Sequence, residues 1–163
     1  MSLLKRNAVK RVRNALIDAG LDNTIIELKE TARSAEDAAN AIGCELGAIV
    51  KSLVFTLERQ TVMALVAGDR KCVEKALPQV FNLDGKVSRP KADEVKAITG
   101  FTIGGVAPIG MKIILPTVID ESFKRFDTVF AAAGHPHCVF SITLNDLTTI
   151  TAAMVSANIA EPL

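Results

Sequence analysis

Tryptophan and tyrosine are absent from the 163-residue chain, and phenylalanine occurs only 7 times. A nucleic-acid platform built from several stacked aromatics is thereby excluded. Cysteine is scarce: Cys44, Cys72 and Cys138 are far apart and form no Cys-x-x-Cys pair, so reduced thiols in a cytoplasmic protein are expected rather than a disulfide framework. Neither sign of charge dominates, since 19 Lys and Arg stand against 18 Asp and Glu, and a strongly basic general nucleic-acid coat is excluded with it. Long apolar runs are missing as well. The longest, Val62 to Ala67, falls far short of the ~20 residues of a membrane span. The opening Met1-Ser2-Leu3-Leu4-Lys5-Arg6 has neither the apolar stretch nor the small-residue cleavage site of a secretory signal.

What is present is ordinary globular material, 49% hydrophobic and 23% charged, in a length that can bury a core of its own. No repeat, low-complexity tract or linker interrupts it, so residues 1–163 are expected to form a single domain with a helix over residues 1–20 packed on it. Val9, Val12, Leu16 and Ala19 share one face of that helix, Arg6, Lys10 and Arg13 line another, and Gly20 stands at its end. A short strand is expected over Thr24–Leu28. Ser34-Ala-Glu-Asp37 opens a second helix and Gly43 can end it. Ser52–Thr56 and Thr61–Ala67 read as a hairpin joined by Leu57–Gln60. Asp69-Arg-Lys71 leads into a short helix, another runs over Lys91–Ile98, and a last one starts at Thr143-Leu-Asn-Asp146. Further strands are expected at Lys112–Leu115, Thr128–Ala132 and Cys138–Ile142. Helices placed first, between and last, without strand–helix alternation, give an α+β class: a mixed, barrel-like sheet surrounded by helices.

Chemistry can reside in few places. Gly104-Gly105-Val106-Ala107-Pro108 lies in a segment of four glycines and a proline over residues 100–110. Glycine lets a ligand approach the main chain, and such a loop can offer N–H groups to an oxyanion, a phosphate or a ribose; the same spacing also suits a plain turn. It matches neither a Walker A sequence nor Gly-x-Gly-x-x-Gly. Lys51, after Ala48-Ile-Val50, interrupts an apolar run. Its ammonium either reaches water at a strand end or anchors a phosphate or an ester carbonyl. His135-Pro-His137 is too thin for zinc, which needs three or four converging ligands. His135, following Gly134, either shapes a loop or orients a water or substrate hydroxyl. The cysteines read as small core residues, as do Phe101 and Phe130. Arg6, Lys10 and Arg13 suit a solvated helix face or, with an RNA partner, phosphate contact.

Taken in order, Ile49-Val-Lys51-Ser-Leu-Val-Phe55, Leu65-Val-Ala-Gly-Asp69, Gly104–Gly110, Leu115-Pro-Thr-Val-Ile-Asp120, Val129-Phe-Ala-Ala-Ala-Gly134 and Asn145-Asp-Leu147 resemble the YbaK/ProX family. That family comprises the editing domain inserted in bacterial prolyl-tRNA synthetases and its free-standing relatives. The resemblance implies a mixed β-barrel-like domain that hydrolyses, in trans, the ester between a wrong amino acid and a tRNA, with tRNA-Pro the expected acceptor. Lys51 matches the family's lysine, Gly104–Pro108 its Gly-x-x-x-Pro loop, and Gly134-His135 its glycine with a following polar residue. Lys51, Gly104 and His135 are therefore the expected catalytic residues. Ser52, Gly105, Val106, Ala107, Pro108 and Gly134 are the expected substrate-binding ones. No metal or organic cofactor is implied. The partners implied are the aminoacylated 3′ end of tRNA and a prolyl-tRNA synthetase, with no membrane or DNA. The substrate is a small amino acid, alanine ahead of cysteine, serine, threonine or 2-aminobutyrate. A non-catalytic RNA-binding or synthetase-associated module with the same fold is the alternative.

Overall fold

A computed structural model describes residues 2–30 and 32–163. In sequence order the elements are α1 (Asn7–Asp18), β1 (Ile26–Glu27), α2 (Ala35–Ile42), β2 (Ile49–Leu57), β3 (Gln60–Ala67), β4 (Arg70–Cys72), α3 (Leu77–Phe81), β5 (Val87–Ser88), α4 (Ala92–Thr99), β6 (Thr117–Asp120), β7 (Val129–His135), β8 (Cys138–Ile142), α5 (Leu144–Thr151), β9 (Met154–Ser156) and β10 (Ala160–Pro162). The chain is α+β with a mixed sheet, as expected. Local chemistry sets the helix ends. Ser34 Oγ accepts from Asp37 N–H and Thr143 Oγ1 from Asp146 N–H, both at 3.1 Å, which satisfies donors a helix start leaves open.

One sheet runs β1-β8-β7-β2-β3-β6-β9, and β4 pairs with β10 in a second, two-stranded sheet. The β2–β3 hairpin is the spine of the larger one, in register from Val50 opposite Ala67 to Leu57 opposite Gln60. The other edge of β2 is divided. Ile49 and Val50 pair in parallel with Phe130 and Ala131 of β7, whereas Thr56 and Leu57 pair antiparallel with Ser88 and Val87 of β5. Between these two contacts the sheet forks.

The principal core lies on one face, where Val9, Val12 and Leu16 of α1 meet Val50 and Val54 of β2, Ala131 and Ala133 of β7, and Ala107 and Ile109 of the glycine-rich segment. Burying each of the larger α1 side chains contributes about 1.5–3 kcal/mol. Phe55, Leu57, Val62 and Leu77 form a second cluster on the opposite face. α1 reaches the sheet at very short range because glycine stands opposite it. Gly134 has φ +92°, and a Cβ there would lie 2.8 Å from the carbonyl carbon and oxygen of Ala8.

Four expectations change. Residues 112–115 are irregular, with Ile113 55% and Ile114 86% exposed; the strand begins instead at Thr117, where Thr117–Ile119 pair in parallel with Met63–Leu65. Arg70–Cys72 is a strand rather than a helix entry, because it pairs with β10 at the far end of the sequence. The first strand is confined to Ile26–Glu27, and the hairpin connection shrinks to Glu58-Arg59. Cys138 is buried, while Cys44 and Cys72 are half-buried. Gly134→Ala is expected to cost about 2–3 kcal/mol of stability through the left-handed backbone and the Ala8 collision, read as a lower urea midpoint with unchanged slope.

Candidate active site

The fork opens a cleft of about 450 Å³. Its geometry follows from the phase of the hairpin ladder. Gly68 N–H donates to Ile49 C=O at 2.8 Å, so the odd-numbered residues of β2 exchange backbone hydrogen bonds with β3 and the even-numbered ones face the other edge. Val50 and Thr56 meet β7 and β5 there. The backbone groups of Ser52 and Val54 face the opening.

Side chains alternate likewise. Val50, Ser52 and Val54 lie on the α1 side of the sheet and Lys51 on the other, and at the fork both kinds line the cleft. Ser52 Oγ is a buried oxygen without a hydrogen-bond partner. An orphaned buried hydroxyl costs about 1–3 kcal/mol, and this one borders the opening. Lys51 Nζ donates to the backbone carbonyl of Arg70. That carbonyl is held in place from beneath. Asp120, 1% exposed, accepts from Ala67 N–H at 3.2 Å and Ser122 N–H at 2.9 Å and lies 3.4 Å from Arg70 Nε, while Arg70 Nη2 donates to Ala160 C=O at 2.7 Å. Burial pushes the Lys51 pKa below the ordinary lysine value, against the pull of the Cys72, Asp69 and Asp120 charges.

The opposite lip is made by the glycine-rich loop. Gly104 (φ +94°) and Val106 line the cleft. Gly105 N–H is committed to Thr102 C=O at 3.0 Å, and Ile103, Gly104 and Val106 are the loop residues that line the cleft with their N–H groups unshared. Ala107 and Pro108 turn inward and are buried. Gly105 packs on the bulge that ends β7: a Cβ there would lie 2.8 Å from His135 N and Cα. Of the two adjacent glycines, Gly105 is the one with backbone against it, whereas a Cβ at Gly104 would touch only Pro136 Cγ at 3.4 Å.

Of the expected residues, the fold brings Lys51, Ser52, Gly104 and Val106 to one cleft and stacks Gly105, Gly134 and His135 behind its rim. The His135 imidazole does not line the cleft. Its Nδ1 accepts from His137 N–H at 3.1 Å, and burial, Arg6 and His137 hold its pKa below the ordinary histidine value. The sequence reading missed Arg33, Arg89 and Phe130, which also line the cleft; both arginines stand in polar stretches, Thr31–Asp37 and Lys86–Lys91, where a cation gives no local signal. Arg33, Lys51 and Arg89 are its charged lining residues, and no carboxylate lines it among the described residues. Burial pushes the thiols of Cys72 and Cys138 up to about 11. Among the described residues no three His, Cys, Asp or Glu side chains cluster to hold a metal ion, and no helix is long and apolar enough to cross a membrane.

Residues 29–150 match the model of the aminoacyl-tRNA editing domain. The chain is 33% identical over 149 residues to the uncharacterized protein YwhH of Bacillus subtilis, spanning 91% of this chain and 94% of that one. It is 31% identical over 128 residues, 72% of this chain and 77% of the other, to EbsC of Enterococcus faecalis, named as a candidate Cys-tRNA(Pro)/Cys-tRNA(Cys) deacylase. A crystal structure described as that of a candidate trans-editing enzyme for prolyl tRNA synthetase superposes with a TM-score of 0.88 at 34% identity, covering 96% of this chain and 98% of the other.

A pH titration followed at the lysine Nζ resonances is expected to show Lys51 losing its proton below the ordinary lysine value of 10.5. The folded protein binds this proton less tightly than the unfolded one, so the burial penalty is fully present at neutral pH and is relieved as pH rises through that window. A Lys51 that titrates with the exposed lysines contradicts the burial argument.

Proposed function

The chain belongs to the aminoacyl-tRNA editing domain family, and from that premise we propose that it acts in trans as an aminoacyl-tRNA deacylase. It hydrolyses the ester between a small mischarged amino acid and the terminal adenosine of tRNA-Pro. The observation that carries this reading is the cleft at the fork of β2, where cationic side chains and unshared backbone donors converge without a carboxylate.

An aminoacyl ester is already activated, so the protein's task is to place a water and stabilise the charge that develops on the carbonyl oxygen. Water adds to the ester carbon, the tetrahedral oxyanion forms, and collapse expels the ribose oxygen, which takes up a proton. The N–H groups of Gly104 and Val106 are the oxyanion donors, each commonly worth ~2.7–4 kcal/mol in such sites. The free ribose hydroxyl next to the ester assists the attack, in keeping with a cleft that presents no Ser-His-Asp arrangement among its described residues. Lys51 holds the terminal phosphate or the ester carbonyl. With one of its three N–H bonds on Arg70 C=O, two remain for the ligand. Arg33 and Arg89 add positive potential along the entry. His135 acts from the bulge, where its backbone bounds Gly105 and sets the position of the loop.

The acyl pocket is walled by Val50, Val54, Val95 and Val106, and sterics exclude large side chains more effectively than apolar contact distinguishes one methylene, a difference of only ~1–3 kcal/mol. This supports a small residue: alanine first, then cysteine, serine, threonine and 2-aminobutyrate. A prolyl-tRNA synthetase that mischarges its tRNA supplies the substrate, and the reaction takes place in the cytoplasm.

The test is a panel of alanyl-, seryl-, threonyl-, cysteinyl- and 2-aminobutyryl-tRNA-Pro with prolyl-tRNA-Pro as control. Wild type is expected to release one small residue rapidly and spare proline, and Lys51→Ala to lose about 10²-fold or more in rate with its circular dichroism unchanged. Gly105→Val is expected to lose activity to a comparable degree because the loop is pushed off His135, and Gly104→Val to lose it through backbone strain at positive φ. No turnover by wild type across the panel would replace the deacylase with a non-catalytic tRNA-binding module.

A further inference from the structure

We infer that Arg11 is a positioning residue for the cleft, whose guanidinium staples both ends of the loop between Gly100 and Gly110 to α1 and so fixes where the N–H groups of Gly104 and Val106 point. Arg11 Nη2 donates to Gly100 C=O at 2.6 Å and Nε reaches Gly110 C=O at 3.4 Å. The guanidinium carbon stands 5.2 Å from the centroid of the Phe101 ring. One planar cation therefore spans the neck of a loop whose ends are also joined by Lys112 N–H donating to Thr99 C=O at 3.0 Å.

The glycines make this possible. A Cβ on Gly100 would lie 2.4 Å from Arg11 Nη2, and a Cβ on Gly110 2.9 Å from the carbonyl carbon and oxygen of Arg11 itself. Both have positive φ, +81° and +75°. The loop is thus held at its neck by α1 and at Gly105 by the β7 bulge. Its inner residues Ala107 and Ile109 are packed with Val9 and Val12, while Gly104 and Val106 face the cleft. Movement at the neck is carried directly to the rim. Arginine is specific to this task, because its donors occupy a rigid fork that spans two acceptors, whereas a lysine ammonium is a single point at the end of a flexible stem. The staple comes from a helix that precedes residue 29, where the family match begins.

The catalytic part of this inference rests on the deacylase reading; the structural part does not, and the test separates them. Amide hydrogen exchange at Gly105 and Lys112, the hydrogen-bonded amides of the loop and its neck, is compared in wild type, Arg11→Met and Arg11→Lys, alongside thermal midpoints and deacylation kinetics. Arg11→Met is expected to exchange the loop amides at least tenfold faster than wild type, while the sheet amides of β3 keep their protection. Its kcat is expected to fall about tenfold with KM nearly unchanged, and Arg11→Lys is expected to restore neither. Unchanged loop exchange in a folded Arg11→Met overturns the staple. Full rescue by lysine, or a loss confined to KM that grows with salt, overturns it in favour of a charge contacting tRNA. If Arg11→Met loses β3 protection as well, Arg11→Lys carries the comparison, and wild-type exchange in that variant overturns the staple. Faster loop exchange in a protein whose wild type is inactive on every ester upholds the staple and removes the deacylase.

Discussion

β2 serves three neighbours, and it cannot satisfy all of them along its whole length. It pairs fully with β3, shares its other edge between β7 and β5, and leaves the backbone groups of Ser52 and Val54 turned toward a gap. Peptide groups left unpaired in a dry interior would be costly, so the gap has to stay open to water or to a ligand. The cleft is the consequence. Lys51, Ser52 and the glycine-rich loop line it because it is where the sheet stops being able to satisfy itself. α2, the loop after α4 and the Gly134 bulge supply walls to a space that strand pairing created.

The Asp120–Arg70 pair works at one remove from that space. A carboxylate 1% exposed beside a guanidinium adds little net stability once the removal of both charges from water is counted. What it specifies is geometry. The end of β3, the short β4–β10 sheet and the Arg70 carbonyl are fixed relative to one another, and that carbonyl receives Lys51 Nζ. The lysine is thus placed by a series of contacts that begins far from the cleft.

How legible this was depended on sequence distance. The helices announced themselves through caps and periodicity: Ser34, Gly43 and Thr143 bound the elements they were expected to bound. Lys51 and the glycine loop stood out because a charge in an apolar run and a cluster of glycines are local anomalies. β6 was misplaced by a few residues because Ile113 and Ile114 look like strand interior, and only the parallel pairing of Thr117–Ile119 with β3 decides the matter. β4 was invisible for the same reason, its partner lying some 90 residues away. Arg11 and Arg89 were equally unreadable. An arginine on a helix gives no local sign that it spans two carbonyls a hundred positions further along the sequence.

The weak acidity of Cys72 bears on self-damage. Its thiol lies close enough to Lys51 for the two charges to influence each other, yet burial and Glu74 hold its pKa at about 11. At neutral pH only about one such thiol in 10⁴ is ionised, and the thiolate is the nucleophilic form. An aminoacyl ester is a ready acyl donor, and on the proposed deacylase reading a thiolate near Lys51 would compete for the amino acid and capture it as a thioester. On that reading, a sulfur kept protonated spares the protein from acylation by the esters it binds.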